Sequence, residues 1–272
     1  MSNPMNYLKL IREVLEESKS KIAESLKNPA VFIPVYGKTL LIDKLAEEAV
    51  IDSLSEKIGG FVLISEEAGI VKVNGGGRLV AVLDPIDGST NASRGFPVYS
   101  TSLALAEGHN LSDVVAGGVI DFFKGDVYYA VKGLGAFLNG KRITVSKNKV
   151  LSESVIALDV SAKGKAFKYL PLLSPIVERA YSVRSLGSNA LHLCMVASGV
   201  FDAFIDLRGV LRAIDASAGI LIVREAGGVV IDGLGAELNF KLAVDTRISL
   251  IAASTVELAS EIVNLLEVKP KS

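Results

Sequence analysis

The sequence predicts a layered α/β protein whose sheets are covered by helices, and three observations carry that prediction. Short apolar runs bounded by Gly, Asn and Asp recur along the chain. The stretch from Ser100 to Ser146 is mostly strand-like, whereas the chain after Lys147 alternates strand-like and helix-like runs. Half of the 272 residues are hydrophobic and 22% are charged, which is enough apolar material for one large domain or two intimate lobes.

The elements follow in order. Leu8, Ile11, Leu15, Ile22 and Leu26 recur at helical spacing, so residues 6–27 read as an amphipathic helix that Asn28-Pro29 ends. Leu41, Leu45 and Ala49 mark a second helix over 39–57, stopped by Gly59-Gly60. Phe61 to Ile64 and Leu79 to Leu83 are buried strands, each running into acids, with the Asn74–Gly77 turn between them. Strands follow at 102–106, 114–120, 127–131 and 136–138. In the second half, 155–160, 180–183, 203–206, 229–231 and 250–253 read as strands, and 189–197, 215–225 and 256–266 as helices. The only plausible boundary is at Lys147–Lys149, which divides the chain into an N-terminal lobe, 1–147, and a C-terminal lobe, 148–272.

Composition excludes several function classes. Lys and Arg number 29 against 30 Asp and Glu, a balance that argues against a dedicated nucleic-acid binder. One cysteine, Cys194, forbids an internal disulfide, and two histidines are too few for a site built from several His and Cys. A metal site must therefore be made of oxygens. No apolar run approaches a membrane span and no leader is visible at the N-terminus, so the expected location is cytoplasmic, with no membrane partner. Neither a G-x-x-x-x-G-K-(S/T) loop nor a G-x-S-x-G elbow is present, so ATP-driven transfer and acyl hydrolysis lack their usual apparatus.

The richest stretch is Asp84-Pro85-Ile86-Asp87-Gly88-Ser89-Thr90-Asn91. A buried strand delivers Asp84, Pro85 has no N–H and leaves the ladder, and Asp87 returns to the same side. The Ile86 carbonyl is then free to serve as an oxygen ligand, and Gly88-Ser89-Thr90 opens a helix whose N–H groups suit a phosphate. Hard cations such as Mg2+ want this ligand set. Taken singly, Glu66-Glu67 is a solvated acidic loop, Asp215 an N-cap and Asp43 a favourable charge at a helix start. Two acids at the exit of a buried strand, however, need compensation.

These motifs together resemble the inositol monophosphatase and fructose-1,6-bisphosphatase superfamily of metal-dependent phosphatases, archaeal-type dual-activity members in particular. The octet matches the signature D-P-(I/L)-D-G-(S/T)-x-N, and Glu66-Glu67 resembles the acidic pair. Gly135–Gly140 with Val145-Ser146 matches the mid-chain turn, and Arg184-Ser185-Leu186-Gly187-Ser188 matches R-S-x-G-(S/T). Asp215-Ala216-Ser217-Ala218-Gly219 and Glu225-Ala226-Gly227-Gly228 resemble the closing signature. Ile214 stands where the family has Trp, as in archaeal-type members, and the Tyr36–Thr39 loop lacks the usual acid.

The resemblance implies a five-layer αβαβα sandwich, usually a homodimer, acting on a small-molecule phosphate ester. It assigns Glu66, Asp84, the Ile86 carbonyl, Asp87 and Asp215 to two or three Mg2+ ions, with Mn2+ as a substitute. Ser89, hydrogen-bonded to Asp43, would orient an attacking water with Glu66 nearby. Asp87, Gly88 and Ser89 would grip phosphate, and Arg184, Gly187, Ser188, Asn189 and Arg208 would face the alcohol. An Arg at 208 would favour a second phosphate, so inositol 1-phosphate and fructose 1,6-bisphosphate are the expected substrates. Two alternatives stand beside this: an adenosine 3′,5′-bisphosphate nucleotidase of the same superfamily, and a non-catalytic regulator of RNA or transcription with this fold.

Overall fold

The first helix, α1 (Pro4–Ser25), starts where the sequence allows it: Pro4 occupies the first turn and the Asn3 side chain accepts the Met5 N–H. The computed structural model describes residues 3–36, 39–160 and 170–267. A small hairpin, β1 (Pro34–Tyr36) and β2 (Thr39–Leu40), leads into α2 (Leu41–Ile58). Eight strands follow: β3 (Phe61–Ser65), β4 (Gly69–Val73), β5 (Val80–Asp87), β6 (Ser100–Ala106), β7 (Val114–Asp121), β8 (Asp126–Val131), β9 (Gly135–Leu138) and β10 (Lys141–Ile143). The short helix α3 (Ser89–Ser93) interrupts them after β5. The remaining elements are β11 (Val155–Leu158), α4 (Leu170–Arg179), β12 (Ser182–Arg184), α5 (Asn189–Ala197), β13 (Ala203–Arg212), α6 (Ala213–Glu225), β14 (Val229–Ile231), β15 (Arg247–Ala253) and α7 (Val256–Glu267).

Two mixed sheets organise these elements. The first has eight strands in the order β10-β9-β8-β7-β6-β5-β3-β4, antiparallel except for the β3–β5 pair. The second has five in the order β12-β11-β13-β15-β14, with β11 parallel to both its neighbours. Strand alternation then sets the layers. On one face of the first sheet, Ala81, Leu83, Leu103 and Leu105 pack with Ile11, Leu15, Val50 and Leu54 of α1 and α2. On its other face, Val82, Ala104 and Val119 meet Leu191 of α5 and Ile220 of α6, which in turn meet Phe204 and Leu250 of the second sheet. Ile205 and Ile251 on the far face of that sheet pack with Ile176 of α4 and Ile262 of α7. The result is helix, sheet, helix, sheet, helix, the five-layer α/β sandwich that the resemblance implies. The first sheet is drawn from residues 61–143 and the second from 155–253, with α5 and α6 buried between them.

Three local features differ from the sequence expectation. β5 does not end at Asp84 but runs on to Asp87. Its register against β6 pairs Asp84 with Ser102 and then Asp87 with Ser100, so Pro85 and Ile86 together oppose Thr101 in a bulge. A bulge tolerates a proline that lacks a ladder N–H, and it re-aims the side chains around it. Thr101 secures the bulge by donating its hydroxyl to the Pro85 carbonyl at 2.6 Å. β13 continues from the expected 203–206 to Arg212, with its own irregularity between Asp206 and Leu211. Strands β4 and β10 and helix α4 have no counterpart in the sequence reading.

Candidate active site

Three layers converge at the end of β5. The bulge places Asp84 and Asp87 on one side of the strand, and α6 supplies Asp215 from its first turn. Carboxylate oxygens of these three residues all lie within 4.8 Å of one another, and all three side chains are buried. Burial raises the Asp84 carboxyl well above the usual range, with Asp215 and Asp87 adding to the push and Arg212 opposing it. Burial likewise lifts Asp87, up to about 7, with Asp215 contributing and Ser188 and Ala190 holding it back. Asp215 is raised by burial too, against the Arg212 guanidinium.

Hydrogen bonds hold one side of this cluster and leave the other side open. Asp87 Oδ2 accepts from Ser188 Oγ at 2.6 Å and from the Ala190 amide at 2.8 Å, so both protein donors go to one oxygen. Asp84 Oδ1 and Asp215 Oδ1 are buried and accept no hydrogen bond, though the Arg212 Nε lies 2.8 Å from the latter in a poorly aligned ion pair. Two buried carboxylate oxygens without a hydrogen-bond partner, in an all-oxygen set, are what a hard divalent cation requires, so these residues fit one. Glu66 follows β3 and is exposed, but Arg212 ties it to the cluster by an ion pair. The Ile86 side chain packs with Ile42 and Ala46, while its backbone lies in the bulge between the two registered pairs.

Arg212 is the residue the sequence reading missed. It ends β13 and reaches Glu66 through Nη1, Asp84 Oδ2 through Nη2 at 3.0 Å and Asp215 through Nε. The available signal was an Arg three residues before an Asp at a helix start, a spacing that brings the two side chains together.

The helix start expected after the cluster is present. Gly88 caps α3 with φ +93°, and a Cβ there would stand 2.9 Å from the Val98 carbonyl and 3.2 Å from that of Gly187. Ser89 begins α3 and is half-buried. The bond expected between Ser89 and Asp43 is not formed. Asp43 lies in the first turn of α2 and accepts instead from the Leu40 amide at 2.6 Å, closing a capping box on its own helix. Burial lifts its carboxyl up to about 7, and Glu67 and Glu66 add to that.

The residues expected around the alcohol separate. Ser188 is fully buried and spends its hydroxyl on Asp87, so it positions that carboxylate. Gly187 packs against Asn91, and Asn189 opens α5 with a buried Oδ1 that has no partner. Arg184 is exposed at the end of the edge strand β12 and bonds Ser182 and the Val183 carbonyl. Arg208 departs furthest from expectation. It is 7% exposed and bidentate to Asp206, with Asp159 Oδ2 at 2.9 Å from Nη2. A buried guanidinium must satisfy its donors, and two buried carboxylates already do so here. Gly37 and Lys38 of the acid-free loop lie outside the described residues.

Comparison with known proteins identifies the family. The sequence profile of the inositol monophosphatase family matches residues 11–269. A fructose-1,6-bisphosphatase/inositol-1-monophosphatase from Methanothermobacter thermautotrophicus is 41% identical over 239 residues, covering 85% of this chain and 84% of its own. A bifunctional NADP phosphatase/NAD kinase from Methanococcus maripaludis is 34% identical over 91% of this chain, which spans 46% of that protein. Among solved structures, a Pyrococcus horikoshii protein described as similar to inositol-1 monophosphatase superposes with a TM-score of 0.81 at 26% identity, covering 99% of this chain and 100% of that one. The profile spans most of the chain and the Methanothermobacter relative is well above 30% identical over most of both chains, so the chain belongs to the inositol monophosphatase family of phosphatases.

Proposed function

We propose that this phosphatase is a Mg2+-dependent phosphomonoesterase of small sugar and polyol phosphates, with inositol 1-phosphate and fructose 1,6-bisphosphate as its substrates. The observation that carries the reading is the convergence of Asp84, Asp87 and Asp215 beside the Gly88 turn, with two buried oxygens that accept no hydrogen bond. Asp84, Asp87, Asp215, Glu66 and the Ile86 carbonyl would hold the cation. When bound, Mg2+ or Mn2+ supplies a polarising charge for the phosphoryl group and an activated water.

The chain's own residues do the rest. Ser188 and the Ala190 amide fix Asp87, so its free edge faces the cluster. The Gly88 turn, which tolerates no side chain, brings backbone donors and the Ser89 hydroxyl toward a phosphate. Asp43, with its carboxyl near 7, is poised to take or give a proton at neutral pH. Arg212 holds Glu66, Asp84 and Asp215 in one arrangement. Since Arg208 is committed to Asp206 and Asp159, preference for a second phosphate rests on Arg184 and not on Arg208. The working unit in this reading is a homodimer, as the family resemblance implies, with the cytoplasm as its expected location. Among the described residues no helix is long and apolar enough to cross a membrane.

The test is phosphate release from inositol 1-phosphate, fructose 1,6-bisphosphate, NADP and adenosine 3′,5′-bisphosphate, each with Mg2+. Turnover of the first two well above the nucleotides supports the reading. A preference for NADP would move the assignment toward the methanogen relative, and no release from any of the four would remove it.

A further inference from the structure

We infer that His192 is a positioning residue for phosphate binding: its Nε2 accepts the Leu186 amide and so holds the Arg184–Ser188 turn against Gly88. The inference rests on the Gly88–Ser89 turn being the phosphate site proposed above. His192 lies in the first turn of α5, two residues after Ala190, and its own side chain makes no hydrogen bond to the carboxylate cluster. Its ring is fully buried, with its centroid 4.6 Å from that of Phe204 and 6.3 Å from that of Phe201. Nε2 takes the Leu186 N–H at 3.0 Å.

The other ring nitrogen shows why a histidine stands here. Because Nε2 accepts, the proton must sit on Nδ1, and Nδ1 is buried without a partner. A buried N–H left unpaired costs about 1–3 kcal/mol, so a ring needed only for packing would be apolar. What the histidine adds over a phenylalanine is an acceptor aimed at one amide. Burial, with Arg208 contributing, holds the ring pKa down to about 3, which keeps that acceptor in place at neutral pH.

The amide is well placed to matter. Asn91 Nδ2 donates to the Leu186 carbonyl at 2.7 Å and to the Val98 carbonyl at 2.8 Å, so α3 grips the same residue from its other end. The next residue, Gly187, has φ +82° and sets its carbonyl 3.2 Å from the position of a Gly88 Cβ. The residue after that, Ser188, donates to Asp87. Releasing Leu186 therefore loosens at once the wall beside the phosphate turn and the donor that orients a carboxylate. Among the described residues no other side chain is bonded to the Leu186 N–H.

His192→Phe keeps an aromatic ring on Phe204 and removes the acceptor, whereas His192→Gln restores an acceptor at the reach of Nε2. The readouts are KM and kcat for inositol 1-phosphate, inhibition by inorganic phosphate, and hydrogen exchange of the peptide spanning 184–189. The Phe variant is expected to raise KM and the phosphate inhibition constant about tenfold, the equivalent of roughly 1.4 kcal/mol, with kcat changed less. Its 184–189 peptide exchanges faster while its melting temperature holds, and the Gln variant recovers most of each. Wild-type KM, phosphate inhibition and exchange in the Phe variant would overturn the inference. Equal defects in the Phe and Gln variants would overturn it as well, because packing alone would then explain them. Failure of the wild-type enzyme to release phosphate would strike the functional reading instead, and the exchange rates would still decide whether His192 holds the turn.

Discussion

At the scale of single residues, the chemistry follows from which charges are already spent. Arg208 looked like a ligand for a second phosphate, but Asp206 and Asp159 occupy it below the surface. Truncating one member of a buried ionic group leaves its partners uncompensated and costs about 3–5 kcal/mol. Arg208→Ala is therefore expected to lower the melting temperature by several degrees. It is also expected to reduce kcat/KM for inositol 1-phosphate and fructose 1,6-bisphosphate by similar factors. Steady-state kinetics and a melting curve on the same preparation check both, and a loss confined to the bisphosphate would return Arg208 to the substrate pocket. The clustering of Asp84 and Asp87 was legible because two acids in D-P-I-D leave a buried strand with no basic residue beside them in sequence. Arg212 was not legible as their counter-charge, since 128 positions separate it from Asp84 and only the fold joins them. The Ser89–Asp43 hydrogen bond that the resemblance implied is not formed, because a helix cap claims Asp43 first.

At the scale of elements, the β5 bulge and the turn after it shape the candidate site. The sequence reading took Pro85 for the end of the strand, because a missing N–H breaks a ladder. The ladder absorbs it by letting two residues face Thr101, which preserves strand pairing as far as Asp87. Gly88 then needs a left-handed conformation next to two carbonyls. Gly88→Ala is expected to raise KM and lower kcat/KM by tenfold or more, with the far-ultraviolet spectrum unchanged, because the added methyl displaces the turn from Val98 and Gly187. Wild-type kinetics in that variant would show that the turn does not grip substrate. Helix α5 and strand β14 match the sequence reading residue for residue, since their ends are marked by an N-cap serine and by flanking glycines. The edge strands β4 and β10 escaped it because they are short and largely solvent-facing, so no alternation marks them. Helix α4 escaped because Pro171 and Pro175 disguise it, one in its first turn and one within.

At the scale of the whole molecule, the fold gathers carboxyl groups inside, where burial favours their protonated form and Arg212 opposes it. Asp43 and Asp87 each titrate near 7 in the folded chain, raised chiefly by burial. A carboxyl whose folded pKa exceeds its unfolded one stabilises the fold at low pH and loses that contribution as pH rises toward the folded value. Buried neutral His192 acts in the opposite sense below its unfolded pKa and offsets one carboxyl. With chelator present, the melting temperature should therefore fall between pH 5.5 and 7.5. In the proposed reading Mg2+ would bind the deprotonated carboxylates, so the stabilisation it gives should be larger at pH 7.5 than at pH 5.5. Melting curves at both pH values, with chelator and with saturating Mg2+, check this, and an equal or larger Mg2+ effect at pH 5.5 would contradict it.

The central claim is that the carboxylates of Asp84, Asp87 and Asp215 hold the cation that drives phosphate release. The most direct measurement is a Mg2+ titration of phosphate release from inositol 1-phosphate by chelator-stripped enzyme, run alongside Asp84→Asn. The account predicts no turnover without added metal, saturable recovery in the wild type, and at least a hundredfold lower kcat in the folded variant at any Mg2+ concentration. Undiminished turnover in the stripped enzyme, or a variant as active as the wild type, would contradict it.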